Sequence, residues 1–240
     1  PTKPGVYLMK DAAGEIIYIG KAKVLKNRVR SYFQGRETEH RAAMVLHKHV
    51  VDIEWIVTDN ELEALILEAN LIRQHRPKYN VLAKDDKHFP YLRLTLGEAF
   101  PRLEVVRRVE KDKHRYFGPY TDAKAMRQTL GLAREIFRIR DCELDLRTKR
   151  LERACLSYHI QRCDGPCIDA ITEAEYEPIV KQIILLLEGR SQDLVADLQR
   201  EMEVKAASLD FEGAARRRDQ ILSLEKIRNS QKMDLGEFVD

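Results

Sequence analysis

Tyr7, in a Gly-Val-Tyr run at 5–7, and Tyr18, in a Tyr-Ile-Gly run at 18–20, place two phenols on short apolar stretches near the start of the chain. Lys21, Lys23, Lys26, Arg28 and Arg30 then crowd into a window free of acids, the usual electrostatic footprint of phosphate binding. Arg28 and Tyr32 stand four apart, so a helix makes them neighbours. Hydrolysis of a phosphodiester uses groups of these kinds: a base or phenol for the attacking water, cations for the developing charge, and a carboxylate that holds a divalent metal. Glu68 is the acid assigned to that metal, Mg²⁺ or Mn²⁺, whose hard-oxygen preference leaves the other positions to water and phosphate. Lys21 and Arg28 would contact the phosphate oxygens, Arg28 through its bidentate fork.

A small α/β unit must position these groups. Residues 5–10 and 15–19 flank Asp11-Ala12-Ala13-Gly14 and read as a β-hairpin. Strand alternation puts Tyr7 and Met9 on one face and Ile16 and Tyr18 on one face. Sequence does not fix the register that decides whether the two phenols meet. Leu25, Val29 and Phe33 give the next helix a buried stripe, and residues 53–58 read as a third strand. Asn60 with Glu63 is a capping-box signature. It opens a helix with a core stripe of Leu62, Leu65, Ile66 and Ala69, Glu68 at the edge of that stripe, and Pro77 to end it. The unit closes near residue 85.

Residues 91–96 and 103–109 read as a second hairpin, and a helix near 122–138 follows the Phe-Gly-Pro-Tyr turn at 117–120. Cys142, Cys155, Cys163 and Cys167 are separated by 12, 7 and 3 residues, without a Cys-x-x-Cys knuckle. Four thiolates so placed could hold Zn²⁺ or a 4Fe–4S cluster; ordinary buried thiols are the alternative. From Glu173 the pattern is helical. One stripe runs through Tyr176, Ile179, Val180, Ile183, Ile184 and Leu187, a second through Leu194, Leu198 and Met202, and a third through Ala214, Ile221, Leu224 and Ile227. The last two helices break near Ser208–Phe211 into an αα-hairpin. Such a hairpin cannot bury both apolar faces alone, so it associates with a partner hairpin or with residues 173–189. Leu209 and Phe211 are the candidate anchors, with Ala214 and Ala215 beside them.

At 240 residues the chain makes one large domain or two or three small ones. A charged fraction of 34% suits long exposed helices, while a net charge of +3 identifies no partner by itself. No apolar run approaches a membrane span, no signal peptide is visible, and the clustered cysteines do not form a secreted disulfide framework. A soluble, cytoplasmic protein is expected. The start at Pro1 without Met reads as a trimmed N-terminus.

GVY at 5–7, YIGKAK at 18–23 and LILEANLIRQHRPKYN at 65–80 resemble the motifs of the GIY-YIG nucleases. Nearly the whole chain is similar to the N-terminal half of the UvrC family, the incision subunit of bacterial nucleotide-excision repair. The resemblance implies Tyr18 as general base or water-orienting phenol, and Tyr7, Lys21, Arg28 and Tyr32 as phosphate- and water-positioning groups. It implies Glu68 as the single metal ligand and Asn80 as a structural or active-site hydrogen-bonding residue. Lys21, Lys23, Lys26, Arg28 and Arg30 then become the DNA-binding set. The implied reaction is a metal-dependent cut of damaged double-stranded DNA on the 3′ side of a lesion. RCDGPC at 162–167 is similar to the family's cysteine-rich region, which favours a 4Fe–4S cluster over Zn²⁺. Residues 194–228 resemble a UVR motif, which implies UvrB as partner.

The expected fold class is α+β. A GIY-YIG nuclease domain at 1–85 is followed by a β-hairpin, helix and cysteine-rich connector at 86–170. A helical region with the UVR motif occupies 171–240. A noncatalytic UvrB- and DNA-binding scaffold and a free-standing GIY-YIG nuclease are the rivals. Intact Tyr18, Arg28 and Glu68 speak against the first, and the 194–228 hairpin against the second.

Overall fold

The computed structural model describes residues 1–33, 48–82 and 89–234. It is an α+β protein of two compact units. Pro1–Pro90 and Gly118–Ala125 build the first, and Tyr91–Phe117 and Met126–Ser230 build the second.

In the first unit, β1 (Gly5–Lys10) and β2 (Ile16–Ala22) form the hairpin expected from their apolar runs. Asp11 shapes the turn by accepting the Ala13 and Glu15 N–H groups at 3.0 Å, and Gly14 supplies the left-handed φ of 80°. The second edge of β1 pairs with β3 (Asp52–Val57), giving the antiparallel order β2-β1-β3 and leaving β2 at an edge.

The register left open by the sequence is Tyr7 opposite Gly20 and Met9 opposite Tyr18. Residues directly opposite share a face, so Tyr7 and Tyr18 lie on the same side of the sheet. Helix α1 (Leu25–Phe33) packs on that side, where Leu25, Val29 and Tyr32 join Tyr7 and Met9. Phe33 departs from the expected stripe and is exposed.

The opposite face belongs to α2 (Glu61–His75), whose Ala64 and Ile72 pack with Val6, Leu8 and Ile19. Asn60 caps this helix by accepting the Glu63 N–H at 2.8 Å, and the Glu63 carboxylate accepts the Asp59 N–H at 3.1 Å. Arg76, left-handed at φ 47°, ends the helix ahead of Pro77. Helix α3 (Lys78–Leu82) follows.

In the second unit, β4 (Tyr91–Leu94) lies between β5 (Leu103–Val106) and β6 (Arg115–Phe117). The sequence pattern predicts a strand to residue 109 and a turn at Phe117. The structure ends β5 at Val106 and uses Phe117 as the last residue of a third strand. Three residues are too few for an alternation signal.

Helix α4 (Ala123–Phe137) leads into the cysteine segment, which contains α5 (Leu156–His159) and a 3₁₀ turn (Pro166–Ile168). Helices α6 (Glu173–Leu187), α7 (Ser191–Ala207) and α8 (Phe211–Asp234) complete the chain. A full capping box between Thr172 and Glu175 starts α6. On α6, Leu186 is buried and Ile184 only partly so, a rotation of the expected stripe by part of a turn. Leu194, Leu198 and Ile221 turn inward from the final hairpin.

Candidate active site

The free edge of β2 organises the site. Ile19 and Lys21 turn their backbone polar groups away from β1, where an edge strand ordinarily meets water. Here side chains close the edge. Asn80 accepts the Ile19 N–H and donates its amide to the Ile19 carbonyl, both at 2.8 Å. This two-bond clasp imitates a neighbouring strand. One step further, the Lys21 N–H donates to Glu68 Oε1 at 2.9 Å.

Glu68 is expected at the margin of its helix stripe, but it lies inside it at 3% exposure, between the buried Leu65, Ala69 and Ile72. Its second oxygen accepts the Thr121 hydroxyl at 2.7 Å. Burial pushes the Glu68 carboxyl up to about 7, against the hydrogen bonds from Thr121 and Lys21 and the Lys21 charge; Asp122 adds to the rise. A carboxylate so reluctant to be charged is suited to an incoming cation.

The phenols form one cluster. Tyr7 and Tyr32 share a hydrogen bond at 2.9 Å, and the Tyr7 ring lies 6.2 Å from Tyr18 and 5.8 Å from Tyr32. Gly20 explains why this can happen: a Cβ there would stand 2.4 Å from the Tyr7 hydroxyl. The glycine of Tyr-Ile-Gly is the space that the Tyr7 ring occupies. Arg28 lies over the Tyr32 ring, 5.1 Å from its centre. Burial, joined by Tyr32 and by the charge of Glu68, raises the Tyr18 phenol well above its usual range, and Tyr7 is raised by burial too. Tyr7, Tyr18, Tyr32, Arg28 and Glu68 therefore share one electrostatic neighbourhood.

The basic window is less free than its sequence suggests. Lys21 pairs with Asp122 at 3.0 Å and Lys23 with Glu61 at 3.0 Å. Lys26, Arg28 and Arg30 are exposed. Thr121 and Asp122 were not among the sequence-derived site residues. Asp122 gave one readable signal, as the cap of α4, where it accepts the Lys124 and Ala125 N–H groups. Nothing local ties either residue to Glu68 or Lys21, 53 and 101 positions away.

In the second unit, Cys163 and Cys167 are buried, Cys142 is partly so and Cys155 is exposed. Burial pushes the Cys163 thiol up to about 12, and Cys142, Cys155 and Cys167 each add to the rise. The Gly165 N–H meets Cys163 Sγ at 3.5 Å and the Arg140 guanidinium meets Cys142 Sγ at 3.7 Å. Buried Arg140 also donates to the carbonyls of Phe100, Cys142 and Leu144, which fixes the loop's entry. The thiols share a neighbourhood without closing on one point: no group of three or more His, Cys, Asp or Glu stands at metal-holding distance among the described residues.

The final hairpin keeps part of its surface for its own chain. Gln220 donates to the Ile136 carbonyl at 2.7 Å, Gln182 bonds Glu201 at 2.8 Å, and Arg216 pairs with Asp164. Val204, Leu209, Phe211 and Leu222 remain exposed, and Ala214 and Ala215 are half-buried. No helix among the described residues is long and apolar enough to cross a membrane.

Three family models match in succession: the UvrC-like GIY-YIG domain at residues 3–81, the UvrC/Cho excinuclease middle domain at 89–186, and the UvrB/uvrC motif at 192–227. The UvrABC system protein C of Clostridium acetobutylicum is 46% identical over 239 residues, covering 99% of this chain and 38% of the relative. That of Symbiobacterium thermophilum is 50% identical over 241 residues, covering 100% of this chain and 38% of the relative. The chain thus spans well under half the length of these curated relatives. A crystal structure of the GIY-YIG N-terminal endonuclease domain of UvrC from Thermotoga maritima, bound to magnesium, is 51% identical over 33% of this chain and 85% of that one, with a TM-score of 0.30. With three consecutive domain matches and relatives near 50% identity along essentially its full length, the chain belongs to the UvrC family and carries that family's GIY-YIG endonuclease domain.

Proposed function

We propose that this chain hydrolyses a DNA phosphodiester on the 3′ side of a lesion in nucleotide excision repair, acting with UvrB in the bacterial cytoplasm. The observation that carries the reading is the gathering of Tyr7, Tyr18, Tyr32 and Arg28 beside one buried carboxylate, Glu68. Glu68 is the single metal ligand; its two oxygens each keep a lone pair beyond the bonds from Lys21 and Thr121, a donor set that fits Mg²⁺ or Mn²⁺. When bound, the metal supplies positive charge that polarises the phosphoryl oxygens. Arg28 and Lys21 take the non-bridging oxygens, with Lys23, Lys26 and Arg30 along the flanking backbone.

The Tyr18 phenol is protonated at neutral pH at its ordinary value, and burial raises it further, which favours water orientation over base action in the metal-free protein. Tyr32 hydrogen-bonds that phenol and is itself held by its hydrogen bond to Tyr7. Asn80 acts through the β2 edge, fixing the strand that bears Tyr18 and Lys21. The division into 1–85, 86–170 and 171–240 is the functional partition we infer.

In the second region, Cys142, Cys155, Cys163 and Cys167 hold a thiophilic group, a 4Fe–4S cluster in preference to Zn²⁺. Support comes from four thiols in one neighbourhood, with N–H donors aimed at two of the sulfurs. In the third, Leu209 and Phe211 anchor UvrB, with Ala214 and Ala215 lining the contact. Phe211, 66% exposed at the start of α8, has the size and exposure of such an anchor.

Incubation with UvrB, Mg²⁺ and a damaged duplex already nicked on the 5′ side is expected to yield 3′ incision. Glu68→Ala should lower it by at least about a hundredfold, as for loss of a transition-state cation's holder; undiminished cutting would remove Glu68 from the mechanism.

A second expectation follows from the raised Glu68 pKa. A carboxyl with a folded value above its unfolded one stabilises the fold while protonated. That contribution is full below the usual 4.5 and is lost as pH rises through about 7. Metal-free protein should therefore lose on the order of 3 kcal/mol across that window. Urea midpoints measured in chelator should show a flatter profile for Glu68→Gln, and parallel profiles would contradict the burial argument.

Anaerobic purification should give a brown protein with about four irons per chain. A colourless product with one zinc would replace iron by zinc at the same thiols.

Phe211→Ala should weaken UvrB binding by at least about 2 kcal/mol in a titration, the scale of a buried aromatic anchor. Unchanged affinity would move the interface elsewhere.

A further inference from the structure

Thr121 comes to Glu68 from outside the family's GIY-YIG match, which ends at residue 81. Its hydroxyl donates to Glu68 Oε2 at 2.7 Å, while Oε1 accepts the Lys21 N–H at 2.9 Å. A carboxylate held at one oxygen still turns about its last bond, a broad torsion with little intrinsic preference. A second donor on the other oxygen fixes the plane. We propose that Thr121 is a positioning residue of the nuclease site, orienting Glu68 toward its divalent metal from a segment that returns after β6. The inference deepens the reading of Glu68 as metal ligand and rests on it.

The segment around Thr121 is built to hold still. Tyr120 is buried, and its N–H donates to the Pro90 carbonyl at 3.0 Å. Asp122 is fixed on both oxygens: Oδ1 accepts the Lys124 and Ala125 N–H groups at 3.0 and 2.9 Å, and Oδ2 pairs with Lys21 Nζ at 3.0 Å. Thr121 sits between these two anchors and cannot drift from the carboxylate without breaking one of them. Lys21 is gripped at both ends, its N–H by Glu68 and its ammonium by Asp122, so two consecutive residues of one loop reach both the metal ligand and a phosphate-binding cation. A hydroxyl that merely satisfied a buried acid would support the fold alone. One that orients a ligand also sets metal affinity, as partners behind metal ligands do.

The test is a Mn²⁺ titration of the full chain, followed by the electron paramagnetic resonance of free Mn²⁺, at mildly alkaline pH where Glu68 is ionised. Thr121→Val should bind Mn²⁺ about tenfold more weakly, and Thr121→Ser, which restores the donor, should stay within about twofold of the parent. Circular dichroism checks folding; should Thr121→Val unfold, Thr121→Ala carries the same expectation. Parent-like Mn²⁺ affinity in the donor-less variant, alongside loss of binding in Glu68→Gln, overturns the positioning role and leaves the ligand reading intact. Retained binding in Glu68→Gln overturns the ligand reading, and this inference with it.

Discussion

A β-strand at the edge of a small sheet has backbone groups that must find partners, and in this chain that requirement builds the site. The outward groups of β2 at Ile19 and Lys21 are met by Asn80 and Glu68 side chains, not by another strand. Each bond does two things. It closes an edge that would otherwise pair with another molecule, and it fixes the height of a functional group along the strand. Tyr18 and Lys21 are on β2, so holding that strand from both helices holds them as well. The carboxylate enters the apolar interior for the same reason: the backbone donor it serves lies there. Its raised pKa follows from position, and so does its fitness for a cation.

On the other side of the sheet the constraint is space. Tyr7 opposes Gly20, and the missing side chain lets its ring lie across β2 toward Tyr18 and Tyr32. Burial raises the Tyr7 and Tyr18 phenols, and the neighbouring Tyr32 adds to the rise of both. They therefore act as a set of neutral hydroxyls, good at handing a hydrogen bond along and poor at carrying charge unaided. Arg28 completes the set as its permanent cation. Packing and chemistry are the same contacts here, so a change that enlarges Gly20 would act on both.

Where geometry is local, the sequence discloses it. The hairpin, the Asn60 cap, the stop at Pro77 and the bend near Ser208–Phe211 all follow from residues within a few positions of one another. Glu68 is legible only as a type of residue on a helix; nothing nearby says that it turns inward, since the donor that draws it in is the backbone of a strand 47 positions earlier. Thr121 and Asp122 lie further still from what they touch. The acid-free window from Lys21 to Arg30 misleads in the same way, because Asp122 and Glu61 bring carboxylates to it through the fold. β6 is too short for any period to show. Local chemistry is written in the sequence, whereas long-range pairing is decided by burial across the whole unit.

The hairpin of α7 and α8 presents a different lesson about alternatives. Docking on its own chain and presenting a face to a partner are rival readings only if a hairpin has one apolar surface. Leu194, Leu198 and Ile221 turn inward, with Gln220 and Arg216 fastening α8 to the Ile136 carbonyl and Asp164. Val204, Leu209, Phe211 and Leu222 stay exposed, so four large apolar side chains meet water on a hairpin that buries Leu194, Leu198 and Ile221. A surface of that kind costs solubility and gives the monomer no stability in return. Inward contacts hold the hairpin in a fixed pose, which lowers the ordering cost of a later association. Packing on its own chain and exposing apolar side chains thus coexist in one hairpin, and Asp164, seated between Cys163 and Gly165, ties it to the cysteine loop.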